Sequence, residues 1–363
     1  MEKIRTWNNT CPERLAFCFY KEIKNSYQQY LIMITVLQIG LGPLGQQISK
    51  YITDKKGVKT VAAVDLNPAW KGRDLADLVD SKPSGVMIEA TVDQALQHLS
   101  GKPDVAIITT VSSIQKLESQ IEEVARHGIP MVSTCEELSY PWEESPETSK
   151  NIDALCRKYK VACLGTGVNP GFLMDYLPSV LSSVCKEVES ITVERFQDAA
   201  PRRIPFQQKI GAGLDLEAFK AKEQTGTLRH VGLKESVYFL AGSLGWKLEK
   251  VTEELHPVMA EESISIPSME IKKGDARGVE QISCGYLNGD CKIRMHFKAA
   301  VGEARSFDRI TVKGVPSFTS EIDNGVNGDI ATCAITINSI KSVLNAAPGL
   351  QTMSTVPVPG YIN

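Results

Sequence analysis

Three glycines, one aspartate and two adjacent glutamates carry most of the chemistry that this sequence could perform. Gly40-x-Gly42-x-x-Gly45 follows an apolar, partly β-branched run, Ile32 to Ile39, and opens a helix-like stretch from Pro43 to Lys56. In that setting each glycine has a mechanical reason to be there. The first permits a tight turn, the second lets backbone approach a pyrophosphate, and the third lets helix and strand pack closely. The start of the helix offers free N–H groups to phosphate. Asp65 lies 20 residues past Gly45, at the end of a second strand-like run, Val58 to Val64. An acid at that place holds ribose hydroxyls. The expected ligand is NAD(P)H, with Gly40, Gly42, Pro43, Leu44, Gly45 and Asp65 in the site. Asp65 favours NAD, whereas Lys71 and Arg73 follow in the same loop and could meet the extra phosphate of NADP.

The two glutamates, Glu136 and Glu137, come directly after an apolar strand-like run, Met131 to Cys135. In a doubly wound sheet, ligands sit beyond the carboxyl ends of the strands. A carboxylate there could take a proton beside the nicotinamide, and partial burial would make it a usable base near neutrality. The competing reading is that the pair begins a helix and interacts with its dipole. Thr110 and Val111 stand in a second loop of this kind and are expected near the nicotinamide. A third candidate segment, Gly165 to Asp175, is glycine-rich and carries Asn169, which could bond the carboxamide or the substrate. Around these, Tyr140, Phe172, His296 and Thr332 are candidate pocket walls.

Elements must exist to position these groups. Val105–Thr110, Met131–Cys135 and Val161–Leu164 read as further strands, with helices expected over Ile114–His127 and Pro146–Tyr159. Strands alternating with helices predict a parallel sheet covered on both faces, a Rossmann doubly wound domain at 31–166. After Val188 the pattern changes. Helices are expected at Leu216–Glu223 and Leu233–Leu244, and Ile191–Phe196 reads as a strand. Leu248–Glu253, Gly278–Leu287, Cys291–Ala300 and Ser306–Val315 read as consecutive strands with turns such as Asn288-Gly289-Asp290. This predicts a second α+β domain at 167–324 with a mixed or antiparallel sheet. A last helix, Gly328–Leu344, is expected to return to the first domain within 325–363.

Composition narrows the partners. The 363 residues are long enough for two cores, and a net charge of -3 with no basic stripe argues against nucleic acid. No apolar run approaches the roughly 20 residues of a membrane span. Nine scattered cysteines without a CxxC pair point to no disulfide framework, no metal site and a reducing cytoplasm. Residues 1–30 lack the apolar stretch of a secretory signal and contain Glu2, Glu13 and Glu22, unlike a transit peptide, so they read as an N-terminal extension. Arg202-Arg203 reads as solvated loop charge. No pair of residues stands out as a carboxylate clamp, which points to a small, mainly apolar pocket and away from an amino acid substrate.

Several runs in order resemble one family. These are Gly-Leu-Gly-Pro-Leu-Gly45, Val64-Asp65-Leu66-Asn67-Pro68 with Gly72-Arg73-Asp74, Ser133 to Trp142, Gly165 to Phe172, Asn338-Ser-Ile340 and Ala347-Pro-Gly-Leu350. Together they resemble the 2,4-diaminopentanoate dehydrogenase-like family, which includes the native amine dehydrogenases, over residues 32–363. The resemblance implies a dihydrodipicolinate reductase-like fold and typically a homodimer. It also implies NAD(P)-dependent oxidative deamination of an amine, or reductive amination of a small ketone or aldehyde with ammonia. Members carry a catalytic glutamate in the position of the Glu136–Glu137 pair. Related sugar dehydrogenases have Glu-Lys-Pro where this chain has Glu136-Glu137-Leu138, with the Lys catalytic; by that analogy Glu137 is the first choice and Glu136 the reserve. The five histidines, His98, His127, His230, His256 and His296, include no adjacent pair, unlike the reductase of lysine biosynthesis. The alternatives are another NAD(P)-dependent C=N or C=O reductase of this fold, and a non-catalytic NAD(P)-binding sensor.

Overall fold

The computed structural model describes residues 33–226, 228 and 230–363. Ile32 and the extension at 1–30 lie outside the described residues. The apolar run after them forms β1 (Ile34–Ile39), and Val36 and Leu37 are fully buried. Burying each such side chain contributes about 1.5–3 kcal/mol. The strands that follow are β2 (Val58–Val64), β3 (Ile88–Glu89), β4 (Val105–Ile108), β5 (Met131–Ser133) and β6 (Ala162–Gly165). With β15 (Gly349–Gln351) they make a seven-stranded sheet in the order β15-β6-β5-β4-β1-β2-β3, every pairing parallel. The order reverses between β1 and β4, so a crevice opens over their carboxyl ends.

The sheet is buried on both faces. The helix Ile114–Arg126 lays Leu117, Ile121 and Val124 on one side. The helix Pro43–Thr53 lays Ile48 and Ile52 on the other. The chain's end covers that second face: the helix Gly328–Asn338 packs on Pro43–Thr53 and buries Cys333 and Ile337, and β15 extends the sheet beside β6. The stretch expected as one helix over Gly328–Leu344 is broken at Ser339, and a second helix runs Ile340–Leu344.

The second half is built on a mixed six-stranded sheet. Its strands are β7 (Glu187–Asp198), β8 (Lys250–Met259), β11 (Ala276–Leu287), β12 (Asp290–Ala300), β13 (Phe307–Val315) and β14 (Phe318–Asp323); β9 (Ile264–Ile266) and β10 (Met269–Ile271) form a separate ribbon. The order is β14-β13-β7-β12-β11-β8, with only β7 and β12 parallel. On β12, Ile293, Met295, Phe297 and Ala299 are buried on one face, against the helix Leu233–Ser243. The strand period of two therefore turns His296 to the other face.

Candidate active site

The glycine loop is held from three directions. Gly40 has φ +86, and its carbonyl accepts from Thr109 Oγ1 at 2.8 Å and from Gln38 Nε2 at 3.0 Å. A Cβ on Gly45 would sit 2.0 Å from that same carbonyl oxygen, so only glycine lets helix Pro43–Thr53 approach β1 this closely. Asp65 closes the loop from β2: its carboxylate accepts from Leu41 N at 2.6 Å and Asn67 N at 2.8 Å. Gly42 differs. It caps the helix without a side-chain bond, and a Cβ there would meet nothing within 4 Å. That open space beside the helix start leaves room for a pyrophosphate at the free N–H groups. The residues fit a dinucleotide.

Of the other residues assigned to the cofactor, Thr110 bonds Gln120 at 2.7 Å with its methyl group against Gly40, and Val111 packs on the core below. Lys71 is exposed, and Arg73 is half-exposed, 3.8 Å from Asp77.

A cleft of about 300 Å³ starts at Pro43 and Leu44 and runs between the two sheets. Glu136 enters it from the turn after β5, and its Oε1 lies 3.5 Å from Lys209 Nζ. Glu137 does not enter. Its carboxylate accepts from Ile114 N at 3.0 Å, at the start of helix Ile114–Arg126. Glu137 thus meets the start of a helix, though of Ile114–Arg126 and not of one that the pair begins, and the acid facing the cleft is Glu136.

Asn169 and Thr332 also line the cleft, and Thr332 Oγ1 accepts from Val168 N at 3.3 Å. The segment around Asn169 is held by Asp175, fully buried, which accepts from Gly171 N at 2.7 Å, Tyr176 N at 2.6 Å and Ser236 Oγ at 2.8 Å. Burial pushes the Asp175 pKa up, against the pull of those three donors. Asn169 Nδ2 donates to His230 Nε2 at 2.8 Å, and Asn169 Oδ1 is buried with no partner among the described residues. An orphan acceptor of this kind, on a residue that lines the cleft, suits an amide or ammonium donor from a ligand.

His230 was missed in the sequence, where nothing marks it. It stacks on Phe297, ring centroids 4.5 Å apart, and burial drives its pKa down to about 3, helped by the charges of Lys209, Arg195 and Arg202. It is a neutral hydrogen-bond acceptor at working pH, not an acid. The same charges correct the expectation of an apolar pocket. Arg202 is not solvated charge, while Arg203 is exposed as expected; both line the cleft and share Asp329, each at 3.1 Å. Arg202 is 8% exposed and stacks over Phe206 at 4.0 Å. Beneath them Arg195 is paired with Asp308, both buried. Arg195 also lines the cleft but is neutralised by Asp308; the other three lining cations, Arg202, Arg203 and Lys209, outnumber the two lining carboxylates, Glu136 and Asp329, so the cleft is positive.

Three expected pocket residues lie elsewhere. His296 is on the outer face of β12 and bonds Glu280 Oε1 at 2.6 Å. Tyr140 packs edge-on against Phe239 at 5.9 Å in the core. Phe172 rests on Tyr176, ring centroids 6.2 Å apart, outside the cleft lining.

Comparison with known proteins places this arrangement. Residues 172–363 match the family model of the 2,4-diaminopentanoate dehydrogenase C-terminal domain, and residues 33–136 match a CoA binding domain model. A 2,4-diaminopentanoate dehydrogenase of Acetoanaerobium sticklandii is 31% identical over 336 residues, 91% of this chain and 95% of the relative. The chain belongs to the 2,4-diaminopentanoate dehydrogenase family. An amine dehydrogenase of Streptomyces virginiae is 21% identical over 354 residues, 90% of this chain and 97% of the relative. The solved amine dehydrogenase from Mycobacterium smegmatis shares the fold, with a TM-score of 0.79 at 22% identity over 90% of this chain and 97% of that one. As a member of the diaminopentanoate dehydrogenase family, the protein is an oxidoreductase acting on amine groups with a nicotinamide cofactor. Among the described residues no helix is long and apolar enough to cross a membrane, and no cluster of ligands is placed to hold a metal.

Proposed function

We propose that this enzyme interconverts a small amine bearing a carboxylate with the matching carbonyl and ammonia, and that Glu136 is its acid and base. The observation that carries the reading is Glu136 reaching into a positive cleft that begins at the glycine loop, where the other lining carboxylate, Asp329, is held by Arg202 and Arg203. When bound, the nicotinamide supplies or takes the hydride. The protein's own residues do the rest. Arg202 and Arg203 bind the substrate carboxylate, which fixes the reacting carbon relative to the cofactor crevice. Glu136 takes a proton from ammonium, the ammonia so formed adds to the carbonyl, and Glu136 returns the proton to the hydroxyl of the adduct, which leaves as water to give the iminium. Its negative charge also stabilises the cationic iminium. Lys209 holds the Glu136 side chain in place. Asn169, fixed by His230, offers Oδ1 to the ligand's amide or ammonium. Pro170, Phe206 and Phe297 line the cleft and limit water.

The reading includes residues 31–166 and 325–363 as the cofactor half and 167–324 as the substrate and dimerisation half. Return of helix Gly328–Asn338 and β15 to the first sheet supports that division. It also includes a cytoplasmic homodimer with small-molecule partners and no nucleic acid.

The test is a carbonyl panel with excess ammonium, run with NADH and with NADPH, with and without the ammonia. Carboxylate-bearing carbonyls should oxidise the reduced cofactor only when ammonium is present, and faster than uncharged carbonyls of equal length. Turnover that ignores ammonium throughout the panel sinks the reading.

A further inference from the structure

A second cavity of about 300 Å³, as large as the cleft, lies in the first domain and shares no lining residue with the cleft. Helix Pro43–Thr53 gives it Ser49, β2 gives it Thr60, and the short helix Leu75–Val79 closes it from the side. Five hydroxyl side chains line it. Three of them have partners: Thr53 donates to Lys50 O at 2.6 Å, Ser81 to Lys82 O at 3.4 Å and Ser84 to Asp74 Oδ1 at 2.5 Å. The other two do not. Ser49 is 1% exposed and Thr60 Oγ1 is buried, and neither hydroxyl has a partner among the described residues. A helix offers a serine the carbonyl four residues back. Ser149 and Ser243 bond theirs, at 2.7 Å and 3.0 Å, but Ser49 leaves its own unused.

A buried hydroxyl without a partner costs free energy, so two in one cavity call for a ligand with acceptor atoms. The other walls set its charge. Lys55 and Lys59 are the only ionic groups in the lining, and among the described residues neither is paired with a carboxylate; Lys55 Nζ donates to the neutral Ile362 O. The rest of the wall is apolar, with Ile52, Val58, Leu75, Val79 and Val86. Apolar walls with a few placed polar groups are the make-up of a small-molecule site. Two hydroxyl donors and two ammonium groups suit the oxygens of a carboxylate, and the apolar wall suits a hydrocarbon chain.

We propose that this cavity binds a small carboxylic acid with an apolar chain, as its carboxylate, at a site separate from the cleft. The test is isothermal titration calorimetry of the full chain with octanoate, octanol and octylammonium. Octanoate should bind, octanol about tenfold more weakly for want of the charge, and octylammonium not at all. Ser49→Ala and Thr60→Val should each raise the octanoate Kd about tenfold, the worth of a hydrogen bond to a charged group. Lys59→Gln should weaken octanoate and leave octanol unchanged. Without octanoate, Ser49→Ala and Thr60→Val should melt no lower than the parent, since each removes a hydroxyl that has no partner. The cleft is positive too, so Arg202→Met is the control, and it should retain the octanoate site. Loss of binding in Arg202→Met puts the carboxylate in the cleft and overturns the proposal. Binding that Ser49→Ala and Thr60→Val leave unchanged overturns it, as does a lowered Tm in both variants. Absence of octanoate binding leaves the cavity to water and overturns it as well.

Discussion

Glu136 and Glu137, neighbours in the chain, turn their carboxylates to opposite sides of one short turn. Glu136 reaches the cleft and Lys209, while Glu137 reaches Ile114 N. The cause is local. Glu136–Leu138 forms a single 3₁₀ turn, in which successive side chains diverge by a third of a revolution.

Replacing the two acids one at a time separates chemistry from support. Glu136→Gln should lower kcat for ammonia-dependent oxidation of the reduced cofactor by about 10²–10³-fold, the usual worth of a positioned acid or base. Glu137→Gln should lower it far less and instead weaken the start of helix Ile114–Arg126, at about 1 kcal/mol. Steady-state kinetics and thermal melts on both variants check this, and a larger kcat loss in Glu137→Gln would reverse the assignment.

Two glycines of the loop should respond in opposite ways to alanine. At Gly45 a Cβ meets the Gly40 carbonyl at 2.0 Å, so Gly45→Ala should destabilise the fold. Gly42 has φ -60 and open space, so Gly42→Ala should melt like the parent yet fill the pyrophosphate cradle. Its Kd for NADH or NADPH, read by fluorescence titration, should rise at least about tenfold. Unchanged cofactor affinity in Gly42→Ala would move the phosphates elsewhere.

Arg202→Met should raise KM for a carboxylate-bearing substrate by roughly 10–100-fold, the worth of a hydrogen bond to a charged group. Uncharged carbonyls should be affected less. Arg203 stays 3.1 Å from Asp329, so the variant leaves that acid paired. Equal KM changes for charged and uncharged substrates would take Arg202 out of substrate recognition.

Glu235 makes stability fall as pH rises. Its pKa goes from 4.5 to about 7 on folding, chiefly through burial, so between those values the folded protein keeps a proton that the unfolded chain has lost. Stability therefore declines across that window and levels off above it. Glu235→Gln removes the penalty. It should be more stable than the parent by roughly 3 kcal/mol at about pH 8 and nearly equal at about pH 4. Chemical denaturation at both values tests this, with a pH-independent difference as the contrary outcome.

Much of the fold was legible because it rests on local rules. Period-two and helical patterns marked most of the larger elements, and β12 was expected within a residue of its observed start. Short pieces such as β3 and β15 were not, since two or three residues carry no period. His296 shows the limit at a single position: the strand was anticipated, but which of its two faces meets the cleft was not. Phe297, not His296, looks inward, because its face packs on helix Leu233–Ser243. The basic group is a sharper case. Arg202-Arg203 looks like surface charge in the chain, and only the return of Asp329 from the far end of the sequence makes it part of the cleft.

By itself, then, the sequence determined the dinucleotide loop, the alternating sheet, the pair of acids and the family. Each of these depends on residues close together in the chain, where spacing sets geometry. Tertiary structure decided which acid faces the cleft, and that the cleft is positive. It also left Asn169 Oδ1 without a partner and gathered Glu137, Glu144, Glu235 and Glu253 into one pocket. Those outcomes depend on charges and faces brought together from distant segments, and the sign of a field is a sum that no local stretch contains.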